Sequence, residues 1–580
     1  MPSATSDLDR VAAVVLQLMR GPILVLLCVY AIGITGMTLM PGVDAAGNPS
    51  HMNLFHSFYF FTYSATTTGF GEIPHPFTDQ QRLWATVCLY MGVVAWLYAI
   101  SSIIRLALHP ELLRALAERR FARSVKSISE PFFILCGFGD TGSLLARGLS
   151  DNSIAAAVLD ADSERIKALR LRDYRVNMPG LCADASIPRH LLNAGVKHRQ
   201  CKAIVILTGR DEIHLKIAVM TRFLNPRLRI FCRDTDAEHR ELLATVGDVT
   251  LVSPFEIFAH QLDAAVYTPL LRAWEDWLVG DTSVDLGHPQ RPPRGNWVLC
   301  GYGRMGRALH ETLNVHGVEF SIIDTADHLA EGEGIRILGH VNRKSLTDAK
   351  LAEAVGLVAG TDNDEENLRI LLSARAVNPD AFLIVRQNRH ENEMAFNAAA
   401  ANLIMQPSLV LARHILLFLL MPSLGRLLRY LHSRGIDRVE DLVQQSRERL
   451  PAGMPLLWSE ILTDISCVVP GCRNKVHEVS LADLMRNPAD RQSQLDAIAL
   501  VVTRSTQDFM LPDSDFKVQT GDVVLFCGSR LARHLLYATV NNPYTLHFLV
   551  TGEEPPRSWF FQWLYKRMQI SSPDHVAGSG

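Results

Sequence analysis

Two apolar runs without a single charge, residues 21–40 (GPILVLLCVYAIGITGMTLM) and 83–104 (LWATVCLYMGVVAWLYAISSII), constrain this chain more than any other feature. At about 1.5 Å per helical residue, roughly 20 residues cross the ~30 Å hydrocarbon core of a bilayer. Each run predicts a transmembrane helix, the first with Pro22 in its opening turn, where a missing N–H costs nothing. A cleaved signal peptide does not fit the first run, which is too long and lacks a small-residue cleavage site. Between the runs, residues 53–65 (NLFHSFYFFTYSA) are aromatic and too few to span as a helix, which predicts a re-entrant helix. It leads into Thr66-Thr67-Thr68-Gly69-Phe70-Gly71-Glu72. Gly69 and Gly71 accept positive φ without a steric cost, so successive carbonyls can turn to one side. Irregular backbone at membrane depth survives only where protein or a water-filled cavity surrounds it, and a re-entrant helix would aim its negative C-terminal dipole there. Helix, re-entrant helix, glycine strand and helix together describe a pore domain.

The heptapeptide resembles the selectivity filter of potassium channels, usually Thr-Thr-Val-Gly-Tyr-Gly-Asp, with Thr68, Phe70 and Glu72 replacing valine, tyrosine and aspartate. The resemblance implies potassium ions held by oxygens of Thr67, Thr68, Gly69 and Phe70, with Gly71 completing the filter and Thr66 and Glu72 supporting it. It also implies a homotetramer, because one strand supplies a quarter of each oxygen ring. Thr68 leaves open a weakly selective cation channel of the same build. Gly92, inside the second run, matches the position at which inner helices of this family hinge; close helix packing is the alternative reading. Positions 41–81 hold no Lys or Arg, whereas Arg105, Arg114, Arg119, Arg120, Arg123 and Lys126 follow the second run, and Arg10 and Arg20 precede the first. Basic residues stay on the cytoplasmic side, so a multi-pass protein of the cell membrane with both termini cytoplasmic is expected. No apolar helix repeats Arg at every third position, so no voltage sensor is expected.

At 580 residues the chain exceeds one domain, and a net charge of -3 does not point to a nucleic-acid partner. The ten cysteines form no CxxC pair, and Cys467 and Cys472 lack histidine partners at ligand spacing, so buried free thiols are expected rather than zinc.

From Pro131 the pattern changes. Phe132–Cys136 is a short apolar run of the kind buried in a parallel sheet, followed by Gly137-Phe138-Gly139-Asp140-Thr141-Gly142 and by a second run, Ala155–Leu159, ending in Asp160. This is the dinucleotide-binding fingerprint in context: tight turn, close phosphate approach, helix packing, and a carboxylate for the ribose. The pattern recurs as Trp297–Cys300, Gly301-Tyr302-Gly303-Arg304-Met305-Gly306 and Ile322-Ile323-Asp324, with first glycine and carboxylate both displaced by 164. Asn225-Pro226 and Asn378-Pro379 match at 153, as do Ser253-Pro254 and Gln406-Pro407, so the second copy has lost eleven residues between its second and fourth strands. Ala183-Asp184-Ala185-Ser186 and Ile204–Thr208, with Gly360, Asp364-Glu365-Glu366-Asn367 and Phe382–Arg386 in the second copy, resemble the nucleotide-binding lobe of regulators of potassium conductance. The resemblance implies a regulatory adenine-containing ligand, NAD(H) or another adenine nucleotide, at Asp184, Thr208 and Gly360 beside the fingerprint residues, and allows a divalent cation. Gly339-His340-Val341 departs from the Gly-Asp-Ala of this family, and His214 stands where the second copy has Asn367, so the copies need not bind alike.

The expected fold is a membrane α-helical pore domain followed by α/β: two tandem Rossmann-like parallel-sheet lobes and a small C-terminal α+β lobe. The expected boundaries are a cytoplasmic segment 1–20; a pore domain 21–108, with the filter segment at 53–72 and the second span at 83–108; a linker 109–130; and a first lobe 131–279. A linker 280–295, a second lobe 296–411, a helical connector 412–465, a C-terminal lobe 466–550 and a tail 551–580 complete it. His414–Tyr430 is strongly apolar, but Arg413, Pro422, Arg426 and Arg429 interrupt it, so a lobe-packing helix is expected rather than a third span. The aromatic, basic stretch Trp559–Arg567 could touch lipid or pack on protein. A ligand-gated channel rather than an enzyme follows; a membrane-anchored NAD-dependent oxidoreductase would need a substrate domain and would leave the filter unexplained.

Overall fold

The computed structural model describes residues 5–554 except 45–47, 235–236, 279–285, 287–290, 326–334, 435, 451–454 and 466–477. Cys467, Cys472, the 559–567 stretch and most of the 280–295 linker lie outside the described residues. The chain groups into two compact units: residues 1–130, 157–162 and 179–200 in one, the remainder in the other.

In the first unit, Thr5–Leu39 (α1), Leu54–Ala65 (α2) and Asp79–Ala107 (α3) make the apolar region, and Met19–Leu39 and Asp79–Ala107 are long and apolar enough to cross a membrane. Helix α1 corrects the expectation for Pro22, which lies in the helix interior. The preceding VAAVVLQLM is rich in helix formers and carries the helix back to Thr5, so Pro22 removes one internal hydrogen bond instead of none. Small residues let the helices approach: Trp84 Nε1 donates to the Gly33 carbonyl at 3.2 Å, and a Cβ on Gly33 would overlap the Phe61 ring. Thr78 caps α3 through a capping box with Gln81. Helix α3 ends at a turn before Pro110, which opens Pro110–Lys126 (α4) and is compatible with a first helical turn only.

The first copy contains Phe132–Cys136 (β1), Asp140–Asp151 (α5), Ala155–Asp160 (β2), Ser163–Leu171 (α6), Gly180–Cys182 (β3), Pro188–Asn193 (α7), Cys201–Ile206 (β4), Asp211–Leu224 (α8), Arg229–Arg233 (β5), Ala237–Thr245 (α9), Val249–Val252 (β6) and Pro254–Tyr267 (α10). Pro269–Leu278 (α11) follows. Within the second unit β1–β4–β5–β6 pair in parallel, and within the first β2 pairs with β3 in parallel. Strand β4 stops at Ile206, and Leu207 N donates to Cys136 O at 2.7 Å as the chain turns across the end of β1.

The second copy repeats the plan as Trp297–Cys300 (β7), Arg304–Asn314 (α12), Phe320–Asp324 (β8), Arg336–Leu338 (β9), Arg343–Asp348 (α13), Gly356–Ala359 (β10), Asp364–Val377 (α14), Phe382–Arg386 (β11), Glu393–Ala398 (α15), Leu403–Met405 (β12) and Pro407–Leu420 (α16). Its sheet order is β9-β8-β7-β10-β11-β12, the 3-2-1-4-5-6 order of a dinucleotide-binding sheet. Strand registers locate the missing residues. Val158 faces Gly180 and Ile322 faces Arg336, so the displacement falls from 164 to 156 before the third strand, and the last three residues are lost after it.

The copies exchange helices. Phe255, Phe258 and Leu262 of α10 bury among Trp297, Leu299 and Met305 of the second copy. Helix α16 lies on α5 of the first copy, with Leu416 so close that a Cβ on Gly148 would sit 2.6 Å from it. The matched Ser253-Pro254 and Gln406-Pro407 open these two helices. Pro422–Arg434 (α17) turns away from α16 by 113° and, with Ile436–Arg449 (α18), packs on α11 and on the C-terminal sheet, burying Leu424, Leu427 and Leu431. That sheet is Leu456–Ile461 (β13), Ala497–Arg504 (β14), Gln507–Met510 (β15) and Val523–Gly528 (β16), antiparallel in the order β13-β16-β14-β15. The architecture is an apolar helical region followed by two Rossmann-like lobes and a small α+β lobe.

Candidate functional site: the threonine–glycine loop and the glycine-loop lobes

Asn53 caps α2 by accepting from His56 N at 2.8 Å. At the other end Thr68 N and Gly69 N both reach the Tyr63 carbonyl, at 2.9 and 3.4 Å, so the chain leaves the helix inside its last turn. Positive φ then falls on Thr67 (60°), Gly69 (64°) and Gly71 (90°), with Thr68 and Phe70 between them on the negative side. The positive φ of Gly69 and Gly71 is as expected for the two glycines. Thr67 was not anticipated, because a β-branched residue rarely holds the left-handed region.

Two clamps hold the loop. The Tyr63 hydroxyl donates to the Gly71 carbonyl, and the Tyr63 ring meets Phe70 edge-on at 5.5 Å while Tyr59 stacks on Phe70 at 6.3 Å. The Glu72 carboxylate accepts from Phe77 N at 2.8 Å and from Arg82 Nε and Nη2 at 2.8 and 3.3 Å. Tyr63 and Arg82 had no motif to mark them; an Arg in the first helical turn after a stretch without Lys or Arg was the available signal. Gly92 faces α2: a Cβ there would lie 2.9 Å from Ala65 Cβ, and α3 is one helix through this position. The structure thus gives Gly92 a packing reason. Ser102 lies farther along α3 and returns a hydrogen bond to Tyr98 O at 2.8 Å, a bond that tends to bend helices.

Helix α4 touches the nucleotide-lobe residues of its own unit. Glu118 Oε2 accepts from Arg189 Nη2 at 2.7 Å, and Oε1 lies 3.8 Å from His190 Nε2, while His190 Nδ1 meets the Asp184 carbonyl at 2.7 Å. Asp184 Oδ1 accepts from Ser186 N, and Ala183 N donates to the Asp160 carbonyl, so Asp160 and Asp184 sit at adjoining strand ends.

Both glycine loops have the fingerprint geometry. Gly137 (φ 110°) is pressed against Leu207 and Thr208, and Gly301 (φ 96°) against Gly360 and Thr361. A Cβ on Gly142 would overlap the Gly137 carbonyl, and one on Gly306 the Gly301 carbonyl, which explains the third glycine in each copy. At the second glycine there is room: the nearest atom to a Cβ on Gly139 is Arg165 Nη1 at 3.8 Å, and nothing lies within 4 Å of one on Gly303. Asp140 and Thr141 open α5, and Arg172, just past the end of α6, reaches Ser143 and the Phe138 ring. In the second copy Tyr302 N donates to an Asp324 carboxylate oxygen, so glycine loop and acid meet, and Met305 packs at 3.6 Å from a Cβ built on Gly360. Arg304 instead turns its guanidinium over Phe255, 5.4 Å from the ring centre.

The His214/Asn367 exchange is also visible. Asn367 ties two strand ends: its Nδ2 donates to Thr361 O and Arg386 O, and its Oδ1 accepts from Thr361 N. His214 Nε2 meets Thr208 O at 2.9 Å, and its buried Nδ1, 4.0 Å from Asp211 Oδ1, has no hydrogen-bond partner among the described residues. Burial holds its pKa below the ordinary histidine value.

Comparison with known proteins matches residues 22–109 to an Ion channel domain and residues 133–254 and 297–407 to the TrkA-N domain. An uncharacterized protein of Methanothermus fervidus is 28% identical over 246 residues, 42% of this chain and 37% of its own. A probable potassium channel protein 2 of Methanocaldococcus jannaschii is 26% identical over 125 residues, 20% of this chain and 36% of its own. The chain thus spans little more than a third of the length of these curated relatives. A solved structure described as the GsuK channel bound to NAD is similar over 92% of this chain and 99% of that one, at 15% identity and a TM-score of 0.45. The chain joins a membrane-embedded ion channel domain to a tandem pair of TrkA-N domains.

Proposed function

We propose that this protein is a potassium-selective channel, assembled as a homotetramer in the cell membrane and gated by an adenine-containing nucleotide. The observation that carries the reading is the alternating backbone of residues 66–72 at the end of a short helix between two apolar spans. Oxygens of Thr67, Thr68, Gly69 and Phe70 would replace the hydration shell of the ion, with Gly71, Thr66 and Glu72 completing and supporting the filter. Four copies are needed to close each oxygen ring. Large apolar side chains exposed on single-chain α3, Leu83, Tyr90 and Val94 among them, agree with lipid or neighbouring subunits covering that helix. Both termini and the lobes would be cytoplasmic, by the distribution of basic residues.

The ligand, NAD(H) or another adenine nucleotide, would bind the first lobe at Gly137–Gly142, Asp160, Asp184 and Thr208, and more weakly the second at Gly301–Gly306, Asp324 and Gly360. A ligand that prefers one conformation of a ring of lobes shifts the ring, and α4 transmits that shift to α3. The domain boundaries are proposed as 21–108, 131–279, 296–411 and 466–550. The second reading, a weakly selective cation channel, is favoured by Thr68, whose hydroxyl lies 3.0 Å from that of Thr66. A reversal potential measured on liposomes in opposed potassium and sodium gradients separates them. Values near the potassium equilibrium potential support selectivity, values near zero the second reading. Absence of any current, or unchanged selective current in Gly71→Ala, refutes the pore.

A further inference from the structure

We propose that Arg304 and Arg386, which lie over Phe255, and Arg233 beside them form a binding site for a phosphoryl anion: free phosphate or polyphosphate, or the phosphate tail of a nucleotide. Arg386 and Arg304 lie over the Phe255 ring at 4.9 and 5.4 Å from its centre. Arg233 is near enough to Arg304 and Arg386 for their charges to act on one another. Arg233 and Arg386 end β5 and β11 and are duplicates at the 153-residue displacement, brought together by the exchange of α10 and α16. Among the described residues none of the three side chains makes a hydrogen bond or an ion pair, and Arg386 Nε is buried without an acceptor.

Three guanidiniums held together without counter-charge are unfavourable, and the carboxylates nearby do not discharge them. Asp211, Asp362 and Asp364 act only from beyond ion-pair distance. The Asp364 oxygens already accept from Asn388 N and Nδ2, Arg389 N and Asn392 Nδ2 at 2.7–3.0 Å. Burial first, then Arg304, pushes the Arg386 pKa down to about 10. The planar fork of arginine suits phosphate oxygens bidentately, and Arg304 is exposed, so an anion can enter from solvent. Among the described residues one such site forms. The duplication puts Asp140 where the cluster has Arg304 and Ser408 where it has Phe255. Arg304 belongs to the second glycine loop, so a nucleotide tail at this site rests on the nucleotide reading of that loop, whereas free phosphate or polyphosphate does not.

The test uses the full-length protein in detergent, with phosphate, pyrophosphate, tripolyphosphate and ATP titrated by calorimetry into wild type, Arg233→Gln and Arg386→Gln. At least one inorganic anion or ATP should bind wild type and lose about 10-fold or more in each variant, the loss typical of a charge-assisted contact. Without anion, neither variant should melt below wild type, because each removes repulsion; an arginine kept for structure would lower the melting temperature. Loss for the inorganic anions alone assigns the site to free phosphate, and loss for ATP as well adds the nucleotide tail. No binding of any of the four to wild type, or equal binding in the variants, overturns the proposal.

Discussion

Exchanging the glycines of the first loop for alanine separates its structural role from its binding role. Gly142→Ala drives a methyl into the Gly137 carbonyl, with the carbonyl carbon only 3.1 Å away, and both atoms belong to the backbone of the same turn. Overpacking of this kind costs ~1–3 kcal/mol, and rigid backbone on both sides places it at the upper end. Gly139→Ala is different. Its φ of −74° and ψ of −160° suit any residue, and the nearest atom to the new methyl is 3.8 Å away. Replacing glycine at a helix N-cap costs about 0.5–1 kcal/mol, offset by ~0.4–1 kcal/mol from a less flexible unfolded chain. The fold should be unchanged, yet the methyl stands where a phosphate must approach the loop N–H groups. Losing one charge-assisted hydrogen bond, ~1.5–3 kcal/mol, weakens binding about 10- to 100-fold. Calorimetry with NAD, NADH, ADP and ATP, beside melting curves, reads both effects, and Gly303→Ala repeats the test in the second copy. The expected order is loss of affinity without loss of stability in Gly139→Ala, and a smaller loss in Gly303→Ala. Unchanged affinity in both variants would refute the glycine-loop assignment, and loss confined to Gly303→Ala would reverse the ranking of the copies.

Three further outcomes are expected. Tyr63→Phe removes the donor to the Gly71 carbonyl, worth ~0.5–1.5 kcal/mol per subunit, and should shorten single-channel bursts; bursts of wild-type length would show that this clamp does not hold the filter. Glu118→Gln weakens the contact with Arg189, which is partly screened and worth ~1 kcal/mol or less; it should shrink the effect of nucleotide on open probability while leaving nucleotide affinity as it was, and an unchanged effect would remove α4–α7 from the coupling route. For pH, His214 titrates below its ordinary value when folded, so the unfolded chain binds the proton first and stability falls as pH drops below about 6.5 toward the folded pKa. His414, buried and pushed down to about 4, acts in the same sense. Melting temperature should therefore fall between pH 7.5 and 5.5 by less in His214→Asn than in wild type; equal slopes would show that His214 does not contribute.

Local features of the sequence determined much of this protein. An uncharged run long enough to cross a bilayer, a glycine that needs positive φ and a Gly-x-Gly-x-x-Gly turn after an apolar run are each set within a few residues of themselves. The two spans, the loop at 66–72, both glycine loops and the duplication with its eleven missing residues were therefore readable. Contacts between residues far apart in the chain were not. Pro22 read as a helix start because the apolar run begins beside it, whereas the helix continues back to Thr5. Gly92 read as a hinge or a close-packing position, and its neighbour in the structure is Ala65 of a different helix. Tyr63, Arg82 and Glu118 have ordinary surroundings in sequence and acquire partners only when distant segments pack. Arg233 and Arg386 are 153 residues apart, and their charges face one another because each copy packs a helix on the other. Periodicity reports which face of an element is buried; only the tertiary structure decides against what it is buried, and therefore which charges are left facing one another.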